Sequence, residues 1–171
     1  VQRTLNCFKS GNPWKLPRNR RGDWMKDLDV PEFAEGTEYL LYVGCSGAYD
    51  DRAKKVSAAL VKLLKAAGVN FGVLGNEEPC CGETIRRMGN EFEFQPQAEG
   101  NVELFTELGV KKIITLCPHC FNSLKNDYPD FGGNYEVIHH SEFLAQLVRA
   151  GKLKATGTFG ATVVYHDACY L

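Results

Sequence analysis

Short apolar runs that end at cysteine recur along this chain, and they narrow its possible folds more than any other feature. Leu40, Leu41, Tyr42 and Val43 lead through Gly44 to Cys45. Residues 69–74 lead through the turn Gly75-Asn76-Glu77-Glu78-Pro79 to Cys80 and Cys81. Residues 112–116 meet Cys117, with Cys120 close behind, and residues 162–165 precede Cys169. Continuous apolar runs of this length suit strands buried on both faces. Between them the period changes to that of helices. Asp50 or Asp51 is placed to cap a helix running to about Ala67, with Val56, Ala59, Leu60, Leu63 and Leu64 on one stripe and Gly68 as its stop. Further helices are expected at 82–88, stopped by Gly89, at 90–108, interrupted near Pro96, at 118–126, with proline in the first turn, and at 141–150, capped by Ser141. Residues 135–139 read as a fourth strand and 162–165 as a fifth. The alternation predicts an α/β fold: a doubly wound, Rossmann-like, mostly parallel sheet of about five strands with helices on both faces. Parallel strands would bring all six thiols to the carboxyl edge of the sheet, where open α/β folds bind ligands.

The 171 residues suffice for one sizeable core, and 44% hydrophobic with 24% charged residues is the balance of a globular protein. A net charge of −1 gives no electrostatic footprint for nucleic acid. No apolar run is long enough to span a membrane, and no signal peptide is visible. Residues 1–36, punctuated by Gly11, Pro13, Pro17, Pro31 and Gly36, read as an irregular linker packed on the body through Trp14, Trp24 and Phe33, with a short helix at 23–28. The basic cluster Arg18, Arg20, Arg21 reads as a solvated loop. Residues 37–171 form the cysteine-rich domain. The chain starts at Val1 and ends on Asp167-Ala168-Cys169-Tyr170-Leu171, which suggests a piece of a longer protein. The repeated strand-then-cysteine pattern suggests that 162–171 opens a second unit of the same design.

A Cys-Cys pair and a CxxC in an α/β chain favour metal or redox chemistry in a reducing, cytoplasmic compartment over a disulfide scaffold. Thiolates select zinc, copper(I) or iron–sulfur. A CxxC sets two sulfurs on one tight turn. Adjacent cysteines do not easily share one small ion, but they reach two irons of a larger cluster. Cys45, Cys80, Cys81, Cys117 and Cys120 together exceed the four thiolates of a zinc or cubane site. Two other readings stay open: a zinc-stabilised interaction domain without redox activity, and a CxxC thiol–disulfide oxidoreductase built on Cys117-Pro118-His119-Cys120. Cys7 falls outside the pattern. His139 and His140 read as capping or surface residues, and His119 as a hydrogen-bonding neighbour of the thiols rather than a ligand. Cys45 to Arg52 is one residue too long for a phosphatase loop, and no glycine-rich dinucleotide loop follows the first strand.

Cys45, Pro79-Cys80-Cys81-Gly82 and Cys117-Pro118-His119-Cys120 together resemble the cysteine-rich CCG domain of heterodisulfide reductase catalytic subunits and related iron–sulfur oxidoreductases. Those relatives include glycolate or lactate oxidation subunits and electron-transfer-flavoprotein:quinone oxidoreductase-like proteins. Gly11-Asn12-Pro13-Trp14 and Asp23-Trp24 resemble the linker before this domain in the larger membrane-linked members. His166-Asp167-Ala168-Cys169-Tyr170-Leu171 resembles the opening of the family's second unit. The resemblance implies a noncubane [4Fe-4S] cluster held by Cys45, Cys80, Cys81, Cys117 and Cys120, with Cys169 a ligand of a second site. It implies electron transfer and, in heterodisulfide reductases, reductive cleavage of a disulfide. It also implies partners within a redox complex, either a flavoprotein or a quinone-linked membrane subunit, on the cytoplasmic side. Some family members carry zinc, or nothing, in one unit; this chain keeps all five cysteines. The segment is expected to carry electrons for an oxidoreductase rather than to catalyse alone.

Overall fold

The structure, a computed structural model, describes residues 10–165 and 167–169. Four strands, β1 (Tyr39–Tyr42), β2 (Phe71–Gly72), β3 (Lys112–Thr115) and β4 (Glu136–His139), form one all-parallel sheet in the order β2-β1-β3-β4. Among the described residues six α-helices accompany them: α1 (Gly44–Tyr49), α2 (Asp51–Ala66), α3 (Glu83–Arg87), α4 (Glu91–Glu107), α5 (Pro118–Asn122) and α6 (His140–Arg149). Successive side chains on a strand point to opposite faces. Leu40, Ile113 and Val137 lie in register across the sheet and join the core beneath α4. Leu41, Ile114 and Ile138 lie one residue on and pack with α2 and α6 on the other face. Both faces are covered, which is why the runs are apolar throughout rather than alternating. The doubly wound α/β architecture expected from the sequence is the one observed.

Asp50 caps α2 as predicted, its carboxylate accepting from the Arg52 and Ala53 N–H groups. The buried stripe of α2 is Ser57, Leu60, Val61 and Leu64, one step round from the expected one; Val56 and Leu63 are exposed. The shift follows from Ser57, whose hydroxyl donates to the Gly47 carbonyl and so turns inward a position that reads as polar. Pro96 does not break α4. A helical proline deprives the carbonyl four residues earlier of its partner. Here that residue is the exposed Phe92, where water can replace the lost bond. Helix α6 starts at His140, so Ser141 is inside it and not its cap.

The expected fifth strand is absent: residues 162–165 take no strand conformation and are exposed. Topology explains this. The connection from β1 to β2 runs over the face of α2, and those from β2 to β3 and from β3 to β4 run over the opposite face. Helix α6 returns to the α2 face. A right-handed crossover from there leads back toward the β2 edge. That edge is already taken. Val73 donates to the Pro31 carbonyl, Phe33 donates to the Val73 carbonyl, and Glu32 bridges Val73 in parallel. A Cβ on Gly72 would come within 2.5 Å of the Phe33 Cα, so only glycine lets this segment lie so close. Trp24 and Phe33 are buried; Trp14 is 38% exposed, its ring 6.5 Å from that of Tyr49. Residues Asp23–Met25 form one 3-10 turn within the expected short helix.

Candidate metal centre

The chain leaves β1 toward β2 on one side and leaves β3 toward β4 on the other, so the carboxyl ends of β1 and β3 flank a topological switch point. Cys45 stands at the start of α1, just past β1, and Cys117 at the N-cap of α5, just past β3. The Cys80-Cys81 turn crosses to the same crevice from β2. All five cysteines line one cavity of about 350 Å³ with Trp14, Glu83 and His119 on its wall. Their sulfurs gather along its wall, and those of Cys81 and Cys120 are hydrogen-bonded at 3.3 Å. The described cysteines are all free of disulfides. Among the described residues, no three Cys, His, Asp or Glu side chains converge on the position of one metal ion. Gly44 has a left-handed φ of 74°, and a Cβ there would stand 2.9 Å from the Cys120 sulfur. Any other residue before Cys45 would intrude on Cys120.

Three consecutive carbonyls of the Cys-Cys turn are held by side chains. Tyr42 Oη donates to the Pro79 carbonyl, Gln97 and Asn101 both donate to that of Cys80, and Tyr128 Oη donates to that of Cys81. Gly82 follows with φ 80°, a conformation that favours glycine, and its missing Cβ leaves room for the Phe94 ring.

A buried ion pair lies behind Cys45. Arg21 Nη2 is 2.6 Å from Glu78 Oε1, and Arg21 Nη1 donates to the Cys45 sulfur at 3.3 Å. The remaining acceptor capacity of Glu78 is used by the backbone N–H groups of Val43 and Gly44. The solvated-loop expectation therefore fails for Arg21, which is 2% exposed; Arg18 and Arg20 are exposed, as expected. Burial opposes the Arg21 charge, but Cys45 and Glu78 outweigh it and raise the guanidinium above its ordinary value. Sequence reasoning missed Arg21 and Glu78. The one available signal was a carboxylate set immediately before Pro-Cys-Cys. The leader segment is fastened by Asn12, fully buried, which donates to the Ser10 and Leu16 carbonyls and accepts from the Trp14 and Leu16 N–H groups. This knot sets Pro13 and Trp14 against the cavity.

Hydrogen bonding differentiates the thiols. The bond with Cys80, and then the Arg21 charge, hold Cys45 below the ordinary thiol value against the effect of burial. Bonds with Cys120 and Cys80 hold Cys81 well below it, while bonding to Cys117 and Cys81, with burial, pushes Cys120 well above. The bond with Cys120 also lowers Cys117. His119 Nδ1 is 2.9 Å from Glu83 Oε1, beside the thiols. His139 and His140 are not on the cavity. His139 bonds to Ser141 Oγ and the Leu116 carbonyl, and at the start of α6 its side chain caps nothing. Cys169 is exposed and outside the cavity, because the strand expected to carry it to the sheet edge does not form. Cys7 and His166 lie outside the described residues.

No described helix is long and apolar enough to cross a membrane. The chain is 48% identical to the EtfAB:quinone oxidoreductase of Syntrophomonas wolfei, over 97% of this chain and 24% of that protein. It is 46% identical to the probable iron-sulfur-binding oxidoreductase FadF of Bacillus subtilis, over 100% of this chain and 26% of that protein. It is 34% identical to a subunit of the dihydromethanophenazine:CoB–CoM heterodisulfide reductase of Methanosarcina mazei, over 94% of this chain and 40% of that protein. The chain thus spans well under half the length of each of these relatives. No solved structure matches it. Residues 39–125 match the cysteine-rich CCG domain, a stretch that runs from β1 through the last of the five cavity cysteines. With more than half of its length inside that match, the chain belongs to the cysteine-rich CCG domain family.

Proposed function

We propose that this chain is an iron–sulfur electron-transfer domain of a heterodisulfide reductase-like oxidoreductase. Its cluster, of the noncubane [4Fe-4S] type, is held by the thiolates of Cys45, Cys80, Cys81, Cys117 and Cys120. The observation that carries this reading is the gathering of five thiols on one cavity at the switch point of the sheet. The donor set fits such a group. It is soft, it exceeds the four ligands of a zinc or cubane site, and its neighbouring members Cys80 and Cys81 suit separate irons of one cluster. When bound, the cluster supplies one-electron transfer. The chain's own residues do the rest. The thiolates bind, Gly44 leaves clearance beside Cys120, and the hydrogen bonds to the Cys-Cys turn fix its direction. Pro13 and Trp14 shield one side of the cavity from water. Residues 1–36 serve as the linker and 37–171 as the cysteine domain. Cys169 is assigned to a second site, not to this one. The partners are other domains or subunits of a redox complex, in keeping with relatives named as a quinone oxidoreductase and as a subunit of a heterodisulfide reductase; by the family resemblance they are flavoprotein or quinone-linked and lie on the cytoplasmic side of a membrane.

The test is iron, sulfide and zinc analysis of the anaerobically purified or reconstituted chain, with paramagnetic resonance. Stoichiometric iron and sulfide with a paramagnetic signal are expected. Stoichiometric zinc with no iron uptake would overturn the reading in favour of an interaction domain.

A further inference from the structure

We infer that Arg21 sets the reduction potential of the thiolate-bound group, through a buried hydrogen bond and positive charge at Cys45, with Glu78 as its counterweight. The inference rests on the functional reading above. Three observations lead to it. First, Arg21 is the one Lys or Arg buried among the described residues, and no lysine or arginine lines the cysteine cavity. Second, its two terminal nitrogens are divided. Nη2 serves Glu78 and the Pro79 carbonyl, while Nη1 is directed at the Cys45 sulfur. An ion pair formed only to neutralise Glu78 has no need of the second contact. Third, the negative charge of Glu78 is shared. Its carboxylate also accepts from the Val43 and Gly44 N–H groups, so it does not spend itself wholly on the guanidinium.

Burying a guanidinium is costly, and a buried ion pair is weak grounds for stability. Arg21 Nε has no hydrogen-bond partner, a further cost that a purely structural arginine would not carry. What the arrangement does provide is a fixed positive charge and an N–H donor on one ligand sulfur. Net charge and hydrogen bonds to sulfur are the levers by which a protein sets such potentials. One-electron reduction by an external donor, dithionite in the titration, adds one negative charge to the site. Arg21 stabilises that reduced form more than the oxidised one and so raises the potential. Glu78, paired to the other terminal nitrogen, acts with the opposite sign.

The sign difference is the test. The full chain and its Arg21→Gln, Arg21→Lys and Glu78→Gln variants are loaded anaerobically with iron and sulfide, then titrated with the resonance signal as readout. Arg21→Gln should shift the reduced-to-oxidised ratio at a fixed potential at least tenfold toward oxidised, a negative shift of about 59 mV for a one-electron couple. Glu78→Gln should shift it positive, and Arg21→Lys, which keeps the charge, should stay near wild type. A merely structural role would disturb loading and move the two neutralising variants alike. Equal signs, or no shift in variants that load like wild type, overturn the role of Arg21 alone. A wild-type chain that takes up no cluster overturns the functional reading and this inference with it. Where Arg21→Gln does not fold, Glu78→Gln decides: a positive shift sustains the inference and an unmoved potential ends it.

Discussion

Two segments of this chain present the same pattern, an apolar run followed by cysteine, and meet opposite fates. Residues 39–42 form an inner strand, β1, that delivers Cys45 to the cavity; residues 162–165 stay outside the sheet, and Cys169 is exposed. Hydrophobicity does not separate them. Neighbours do. β1 has a ladder partner on each side, and helices cover both faces. The later segment follows a helix on the wrong face for the open edge, and the edge it is directed to is occupied by Pro31 and Phe33. An apolar run is a strand only where the topology leaves it a place.

Cluster loading should separate the two segments most sharply. Cys81→Ser is expected to reduce first-site iron severely, because Cys81 lines the cavity and its sulfur is hydrogen-bonded to that of Cys120. Cys169→Ser should leave iron content unchanged. Equal loss in both variants, by iron analysis after anaerobic reconstitution, would mean that Cys169 belongs to the site.

Stability comes next. Leu41→Ala in β1 should cost about 2–5 kcal/mol in urea unfolding, the range for a fully buried leucine. Val164→Ala, at a position 92% exposed, should stay within about 0.5 kcal/mol of wild type. A comparable loss at Val164 would show that the segment is packed in solution.

Glycine gives a smaller contrast. Gly44→Ala should cost about 1–2 kcal/mol from its left-handed backbone, with a further cost for the contact with Cys120. Gly160→Ala meets no neighbouring atom and should be silent in the same unfolding assay.

Acid gives the smallest effect. Burial, and then neighbouring His139, lower His140 to about 4. The unfolded chain therefore takes up this proton first, and stability present above the ordinary histidine range is lost as pH falls from about 6.5 toward 4. After allowance for partial exposure, about 1 kcal/mol is at stake. His140→Gln should flatten the fall in urea midpoint between pH 7 and pH 5. An unchanged slope would place the acid sensitivity elsewhere.

The cysteine arrangement was legible because strand ends in a parallel sheet share an edge, so spacing alone brings Cys45, Cys80, Cys81, Cys117 and Cys120 together. The first four strands were legible from the same alternation, but their order in the sheet was not. Arg21 was not legible. An arginine among arginines looks solvated, and what buries it is a carboxylate 57 residues away. The inward turn of Ser57 was hidden for a related reason: its acceptor is a carbonyl of α1, a helix that the sequence did not announce. The missing fifth strand was hidden because the face taken by α6 is a property of packing, not of local pattern.

The side chains that grip the Pro79, Cys80 and Cys81 carbonyls carry a consequence of their own. Fixing the backbone of one residue costs roughly 1–2 kcal/mol of conformational entropy. For this turn that ordering is completed when Tyr42, Gln97, Asn101 and Tyr128 dock during folding, before anything enters the cavity. A guest therefore meets two of its five sulfurs on a backbone already held in one conformation. Its affinity is correspondingly less diminished by disorder in the host.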